Sequence, residues 1–179
     1  LGTEAAQMGA PAFAVPGAYR IAIVHGAIQH SGAAPAGVIA GEAAGSVLTE
    51  RDDVIVRINA GLVKKALRLD LDNEVDPVIH IDHRIEGGAA HVADAVKIYV
   101  GDGGKATIVE SFSGSDATHL GNHASYVMLG KGAALTHILV DLSGHAARHF
   151  ASGAYGLAAA AKPTSAAAKS GPAPASTPV

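Results

Sequence analysis

The chain has 179 residues, a formal net charge of −3 and no cysteine. The negative balance argues against a protein that binds nucleic acid non-specifically, because such proteins present a basic face. The lack of cysteine excludes disulfides and thiolate metal ligands supplied by this chain. No run of about 18 apolar residues is free of polar interruption, and no basic stretch precedes an apolar one, so we expect neither a membrane span nor a signal peptide. These features favour a cytoplasmic protein with one domain.

The first half of the chain gives weak and mixed signals. Residues 1–19 are rich in Ala, Gly and Pro without a period, so we expect an irregular segment. Residues 20–24 form a good predicted strand, whereas residues 27–49 contain only short apolar stretches between glycines. Residues 54–58 (VIVRI) are typical of a strand, although the apolar spacing that follows also permits a short helix. Residues 67–71 then alternate as a half-buried strand does.

From residue 77 onwards, predicted strands alternate with glycine turns. The strands cover residues 77–85, 92–100, 105–112, 123–129 and 134–142. After residue 157 the composition changes to Ala, Pro, Ser and Lys. Such a segment cannot bury enough apolar surface to offset the entropy lost on ordering. We therefore predict a core domain over residues 20–157 and a disordered C-terminal tail over residues 158–179.

A segment that nearly repeats itself predicts the fold. Residues 100–114 (VGDGGKATIVESFSG) return in altered form as residues 129–144 (LGKGAALTHILVDLSG). The copies match at a spacing of 29 residues through Gly101/Gly130, Gly103/Gly132 and Thr107/Thr136. A strand–turn–strand unit with such a period is typical of stacked coils, so we predict an all-β parallel β-helix. Matching residues then become neighbours: Val100 beside Leu129, and Val109 beside Ile138 or Leu139.

Ten histidines raise the question of a metal site. The pairs with suitable spacing are His80/His83, His119/His123 and His145/His149. His80 and His83 lie in a predicted strand, where an offset of three places side chains on opposite faces. Gly121 and Asn122 indicate a turn between His119 and His123. We therefore expect no metal ion and no catalytic residue in this chain, and no cofactor-binding residue can be named; the candidate ligands are His80, His83, His119 and His123.

A cupin-like barrel is the enzymatic alternative. Cupin barrels bind iron or manganese through His-x-His followed by a later Glu and His, because imidazole and carboxylate suit these ions. Glu110 and His123 could supply the last two ligands. The chain has no His-x-His, however, since His80 and His83 are one residue too far apart. A His-ligated metalloenzyme of this type stays open as the alternative function.

Several strand and turn residues match a known family pattern in the same order along the chain. They lie in three segments: Pro77, Ile79 and His80; Val100, Gly101, Ala106, Thr107, Val109 and Glu110; Asn122, Val127, Leu129, Gly130, Gly132, Ala133, Leu135 and His137. Residues 23–26 (IVHG) and 58–60 (INA) match two earlier elements. Through these motifs, residues 20–157 resemble the SufB/SufD family of iron–sulfur cluster assembly scaffolds, and SufD more than SufB.

The resemblance implies a right-handed parallel β-helix and a subunit without catalysis of its own. It implies a SufB-like partner, a SufC-like ATPase, and an iron–sulfur cluster held transiently by the assembled complex rather than by this chain alone. Family members continue into a C-terminal helical segment that docks SufC, where this chain has its Ala/Pro/Ser tail, so SufC contact lacks its docking segment. We interpret the chain as a shortened copy or a fragment, and expect the open end of its stack to form a homodimer or a SufB-like heterodimer.

Overall fold

The computed structural model of the chain describes residues 11–30, 32–88, 90–115 and 117–169. Within them lie one helix and eleven strands, in chain order: β1 (Tyr19–Val24), β2 (Ala27–His30), β3 (Val38–Ala44), α1 (Val54–Leu62), β4 (Lys65–Leu71), β5 (Ile79–Ile85), β6 (Ala90–Val100), β7 (Lys105–Gly114), β8 (His119–Leu129), β9 (Ala134–Asp141), β10 (Arg148–Leu157) and β11 (Lys162–Lys169).

The strands form a parallel β-helix of about three turns. From β4 onwards the chain crosses between two sheets, ordered β2-β1-β5-β7-β9-β11 and β3-β4-β6-β8-β10. All ladders from β5 to β11 are parallel, and antiparallel pairing occurs only in β1–β2 and β3–β4 at the N-terminal end. The predicted neighbours are confirmed, because Val100 pairs with Leu129 and Val109 with Ile138.

The apolar core lies between the two sheets. Strand residues alternate in direction, so every second side chain points inward. The first sheet contributes Ile21, Ile81 and Ile108 to this core, and the second contributes Leu69 and Ile98, all fully buried. A second, smaller apolar cluster lies outside the second sheet, where α1 and its flanking residues cover small side chains of β4, β6 and β8.

Residues 54–58 are helical, so their prediction as a strand was wrong. Asp53 caps α1, since its side chain accepts hydrogen bonds from the backbone N–H groups of Ile55 and Val56 at 2.9 and 3.2 Å. The buried residues of α1 are Val56 and Asn59. The cap and the sheet surface beneath the helix together outweigh the β-branched composition. No helix within the described ranges is long and apolar enough to cross a membrane.

Residues 162–169 form β11 and pair with β9, so the predicted disordered tail is wrong over this stretch. Pro163 does not prevent pairing, because Lys162 N–H donates to Ala133 C=O and alternate residues face opposite edges. The proline nitrogen therefore faces the outer edge, where no ladder bond is lost. The described part of the N-terminal segment, residues 11–18, is irregular as predicted; residues 1–10 and 170–179 of the two predicted end segments lie outside the described residues.

Two glycines in one turn, Gly130 and Gly132, shape a corner of the stack for different reasons. The Gly130 N–H donates to the Val100 C=O, one coil away. A Cβ at Gly130 would lie 2.5–2.8 Å from the Asp102 side chain and backbone and the Gly101 carbonyl carbon. Gly132, in the same turn, has a φ of +67° but open space around it. One glycine is therefore required by close approach and the other by backbone conformation.

We expect Gly130→Ala to lower the free energy of unfolding by about 3 kcal/mol, because the backbone it meets cannot move without breaking the stack. Gly132→Ala serves as the matched control in the same turn and should cost about 1 kcal/mol, the penalty of a left-handed conformation. Urea denaturation of both variants gives the comparison. Equal losses, or a larger loss for Gly132→Ala, would contradict the stacking at this corner.

Candidate functional site

One part of the core is polar instead of apolar. At five of the described inward positions, imidazole and carboxylate side chains contact one another: His83 on β5, Glu110 on β7 and His137 on β9 in the first sheet, and Asp94 on β6 and His123 on β8 in the second. Four of them are buried, and the Asp94 side chain is 14% exposed. Buried charges are costly unless they pair with one another, so the contacts within this group determine what it can do.

His83, Asp94, His123 and Glu110 form a closed ring, which we call the His–carboxylate ring. The Nδ1 atoms of His83 and His123 lie 3.3 and 2.5 Å from the two Asp94 oxygens. Their Nε2 atoms both lie 3.0 Å from Glu110 Oε2. The His123 Nε2 is not in line for a hydrogen bond there, although it is buried. Each imidazole thus has one carboxylate at Nδ1 and another at Nε2.

The ring continues into the next coil through His137. The His137 Nε2 lies 2.7 Å from Glu110 Oε1, and its Nδ1 lies 2.8 Å from the Tyr155 hydroxyl on β10. Glu110 therefore contacts three imidazoles. The network extends across three coils, from β5 to β9 on one sheet and from β6 to β10 on the other.

The electrostatics of the ring are those of paired ions. Burial alone would raise the pKa of both carboxyls, but the neighbouring histidines outweigh it, so the pKa values of Asp94 and Glu110 are lowered. Burial alone would lower the pKa of His123, but Glu110 and Asp94 raise it to about 10. The pKa of His83 is also raised, by Asp94 in particular, against the effect of burial. Two carboxylates and two imidazolium rings then balance in charge.

A small cavity opens on the Asp94 side of the ring. Its volume is about 20 Å³, and its lining includes His83, Asp94, His123 and His149. This is room for about one water-sized group. Burial, followed by the charge of His123, lowers the pKa of His149 to about 4, so this imidazole is neutral near pH 7. The Phe112 ring lies 4.1 Å from the His149 ring and forms an apolar part of the wall.

Helix α1 braces the sheet directly behind the ring. The Asn59 side-chain amide donates to the backbone carbonyls of Asp94 and Asn122 at 2.9 and 2.8 Å. The Asn122 amide in turn donates to the Ile55 carbonyl at 2.9 Å. The backbone that carries Asp94 and leads into His123 is thereby tied to a helix outside the stack, which limits the movement of both side chains.

The structure brings together only two of the four candidate ligands. His80 points to the outer face of β5, where its Nε2 lies 2.8 Å from the Ser111 hydroxyl, which donates to Asp82. Arg20 and Arg84 pair with the same Asp82 carboxylate. His80 is therefore not a ligand of the ring, and its placement opposite His83 agrees with the strand prediction.

Neither His80/His83 nor His119/His123 lies in the ring as a pair. Gly121 and Asn122 belong to β8, so the turn predicted between His119 and His123 is wrong. His119 lines the cavity, and its Nδ1 lies 3.0 Å from the Ala117 carbonyl, while His83 meets His123 across the two sheets. The sequence reasoning missed Asp94 and the role of His137. Asp94 carried a readable signal, because it stands 29 residues before His123, at the spacing of the glycine repeat, and the two pair in register.

The chain was compared with family models and with curated proteins. No family model matches the chain. A search of curated proteins finds no match either. What the site can do chemically is therefore inferred from its imidazole and carboxylate side chains.

We expect Asn59→Ala to lower the free energy of unfolding by about 3 kcal/mol, because it leaves two buried carbonyls without their donor. The control is Arg57→Ala on the same helix. Arg57 is 70% exposed, and its ion pair with Asp52 is exposed too, so the loss should be about 0.5 kcal/mol or less. Chemical denaturation provides both values. A loss below 1 kcal/mol for Asn59→Ala would mean that α1 does not brace the sheet.

Proposed function

We propose that the chain is a non-catalytic scaffold subunit of a cytoplasmic iron–sulfur cluster assembly complex of the SufBCD type. The observation that carries the proposal is the parallel β-helix itself, with its elements in the order that the family resemblance implies. The repeat predicts stacked coils without reference to any family, although it shares Gly101 and Gly130 with the motif. Fold alone does not define function, so the functional part of the proposal depends on the motif residues.

The positions of the motif residues support the proposal. Asn59 and Asn122 join α1 to the second sheet, while Glu110 and His137 belong to the buried polar network. These polar residues are costly to bury and are partnered by one another. A motif that coincides with a connected internal network is more specific than one of scattered strand residues.

The ligand types in the ring agree with the cupin-like alternative, but the strand direction does not. The His–carboxylate ring offers imidazole and carboxylate to a metal ion, as that alternative requires. Cupin barrels are built from antiparallel strands, however, whereas the ladders around the ring are parallel. A His-ligated metalloenzyme on this fold would therefore not be a cupin.

The C-terminal end of the stack is the surface where we place the SufB-like partner. Among the described strands, β10 and β11 have a neighbour on one side only at this end, as β2 and β3 do at the N-terminal end. Such edges present unpaired N–H and C=O groups to another chain. The side chains of β11 are exposed throughout. The backbone N–H groups of the odd-numbered residues of β11 point away from β9, because that of Lys162 points towards it. The N–H of Ala167 is therefore available to a partner strand.

We expect the chain to co-purify with a SufB-type protein when the two are co-expressed with a SufC-type ATPase, and the complex to gain the visible absorbance of a cluster. Ala167→Pro removes an edge donor worth about 1 kcal/mol, so retention of the partner should fall about fivefold. Ala167→Ser keeps the N–H and is the matched control. Affinity capture and visible spectra are the readouts.

The outcomes separate the parts of the proposal. No retention of the SufB-type protein by the unchanged chain would overturn the scaffold function. Equal retention by Ala167→Pro and Ala167→Ser would leave the scaffold and remove the β11 edge as the docking surface. Light scattering of the chain alone reports whether the same edge forms a homodimer at micromolar concentration.

A further inference from the structure

We propose that His83, His123 and Asp94 bind one divalent first-row transition-metal ion inside the β-helix, with Glu110 as the residue that orients both imidazoles. The proposal departs from the expectation that this chain binds no metal. It goes beyond the scaffold function and does not depend on it. Ligand atoms from these three residues lie within 4.8 Å of one another, which is the first requirement of a common ion.

The distances within the ring suit an ion on the Asp94 side. Ligand bonds of about 2.1 Å place two ligand atoms roughly 3.0–3.4 Å apart around one ion. The separation of His83 Nδ1 from Asp94 Oδ2 is already 3.3 Å. The separation of His123 Nδ1 from Asp94 Oδ1 is 2.5 Å and has to open by less than about 1 Å. The atoms that the three residues offer all lie within 4.8 Å of one another, so small side-chain rotations have to bring them to ligand distances.

Glu110 occupies the position of an outer partner to the two metal-binding rings. Histidines that bind a metal through one nitrogen usually donate the other N–H to a carboxylate, which fixes the ring and its tautomer. Glu110 Oε2 lies 3.0 Å from the Nε2 atoms of both histidines. It is hydrogen-bonded to His83, while the His123 ring needs a small rotation to point its N–H at the same oxygen. His137 holds the other oxygen of Glu110 at 2.7 Å and prevents the carboxylate from turning away.

The cavity is an independent observation that points to the same place. Of the ring residues, it is lined by His83, His123 and Asp94, but not by Glu110. The open side therefore coincides with the Nδ1 atoms and not with the Nε2 atoms. Its volume of about 20 Å³ is room for about one water-sized group, such as one exchangeable ligand of an ion held by the three side chains.

The donor set selects the class of ion. Two imidazoles and one carboxylate suit Fe²⁺, Zn²⁺ and related ions, whereas Mg²⁺ and Ca²⁺ prefer oxygen ligands. The carboxylates of Asp94 and Glu110 supply negative charge beside a buried dication. A buried ion pair network without any metal function is the competing explanation for these residues.

The test uses the full chain without a polyhistidine tag, treated with chelator and then titrated with Co²⁺, whose visible bands report direct ligation. We expect about one Co²⁺ per chain, displaced by Zn²⁺ but not by Mg²⁺. Asp94→Asn removes a ligand and should abolish the bands. Glu110→Gln should weaken Co²⁺ binding about 10- to 100-fold and shift the bands, since it alters the orientation of the rings. His91→Asn, an exposed histidine on the same strand as Asp94, is the control for adventitious binding.

Circular dichroism of every variant establishes that it is folded before titration. If Asp94→Asn does not fold, His123→Asn replaces it, and thermal stabilisation of the unchanged chain by Zn²⁺ gives a readout that needs no variant. A Co²⁺ titration of the unchanged chain without bands would overturn the site and leave an ion pair network only. Binding lost equally in His91→Asn and Asp94→Asn would do the same. Unchanged Co²⁺ affinity in Glu110→Gln would remove its positioning role, because a merely structural role lowers the unfolding temperature without moving the affinity.

Discussion

The parallel ladder in strict register is the constraint on which the rest of the structure depends. Each inward side chain stands in a column with its counterparts one coil away, at about 4.8 Å. Apolar side chains stack on one another in part of a column, as Ile79 and Ile108 do, although the next residue in that column is His137. A charged residue requires a partner in its own column or in the facing sheet. Asp94 and His123 are partners within one column of the second sheet. His83 and Glu110, on the first sheet, contact each other and face that pair.

The interior is consequently divided into an apolar part and a polar part. Ladder hydrogen bonds hold both parts equally, but only the polar part has a brace outside the stack, where Asn59 ties α1 to the carbonyls of Asp94 and Asn122. The arrangement has a physical reason, since an ion pair network tolerates less misplacement than apolar packing does. The energy of the ion pairs in the ring depends steeply on the distances between the charged atoms, whereas apolar side chains can adjust to small shifts.

The surface proposed for partner docking and the proposed metal site lie in different parts of the molecule. Partner docking is placed at the β10 and β11 edges, at the C-terminal end of the stack. The His–carboxylate ring lies inside, between β5, β7 and β6, β8, and opens at a small cavity beside Asp94. His137 and Tyr155 form one polar contact between the two regions, because Tyr155 belongs to β10 and lies 2.8 Å from His137.

The sequence by itself determined the fold class and much of the register. The 29-residue glycine spacing predicted stacked coils and placed Val100 beside Leu129, because a ladder in register turns sequence period into spatial neighbourhood. Helix α1 and strand β11 were decided by tertiary structure, since a sheet face stabilises the one and the β9 edge the other. The pairing of His83 with His123 was also decided there. Their spacing along the chain has no period, and only two sheets facing each other bring them within reach of one carboxylate.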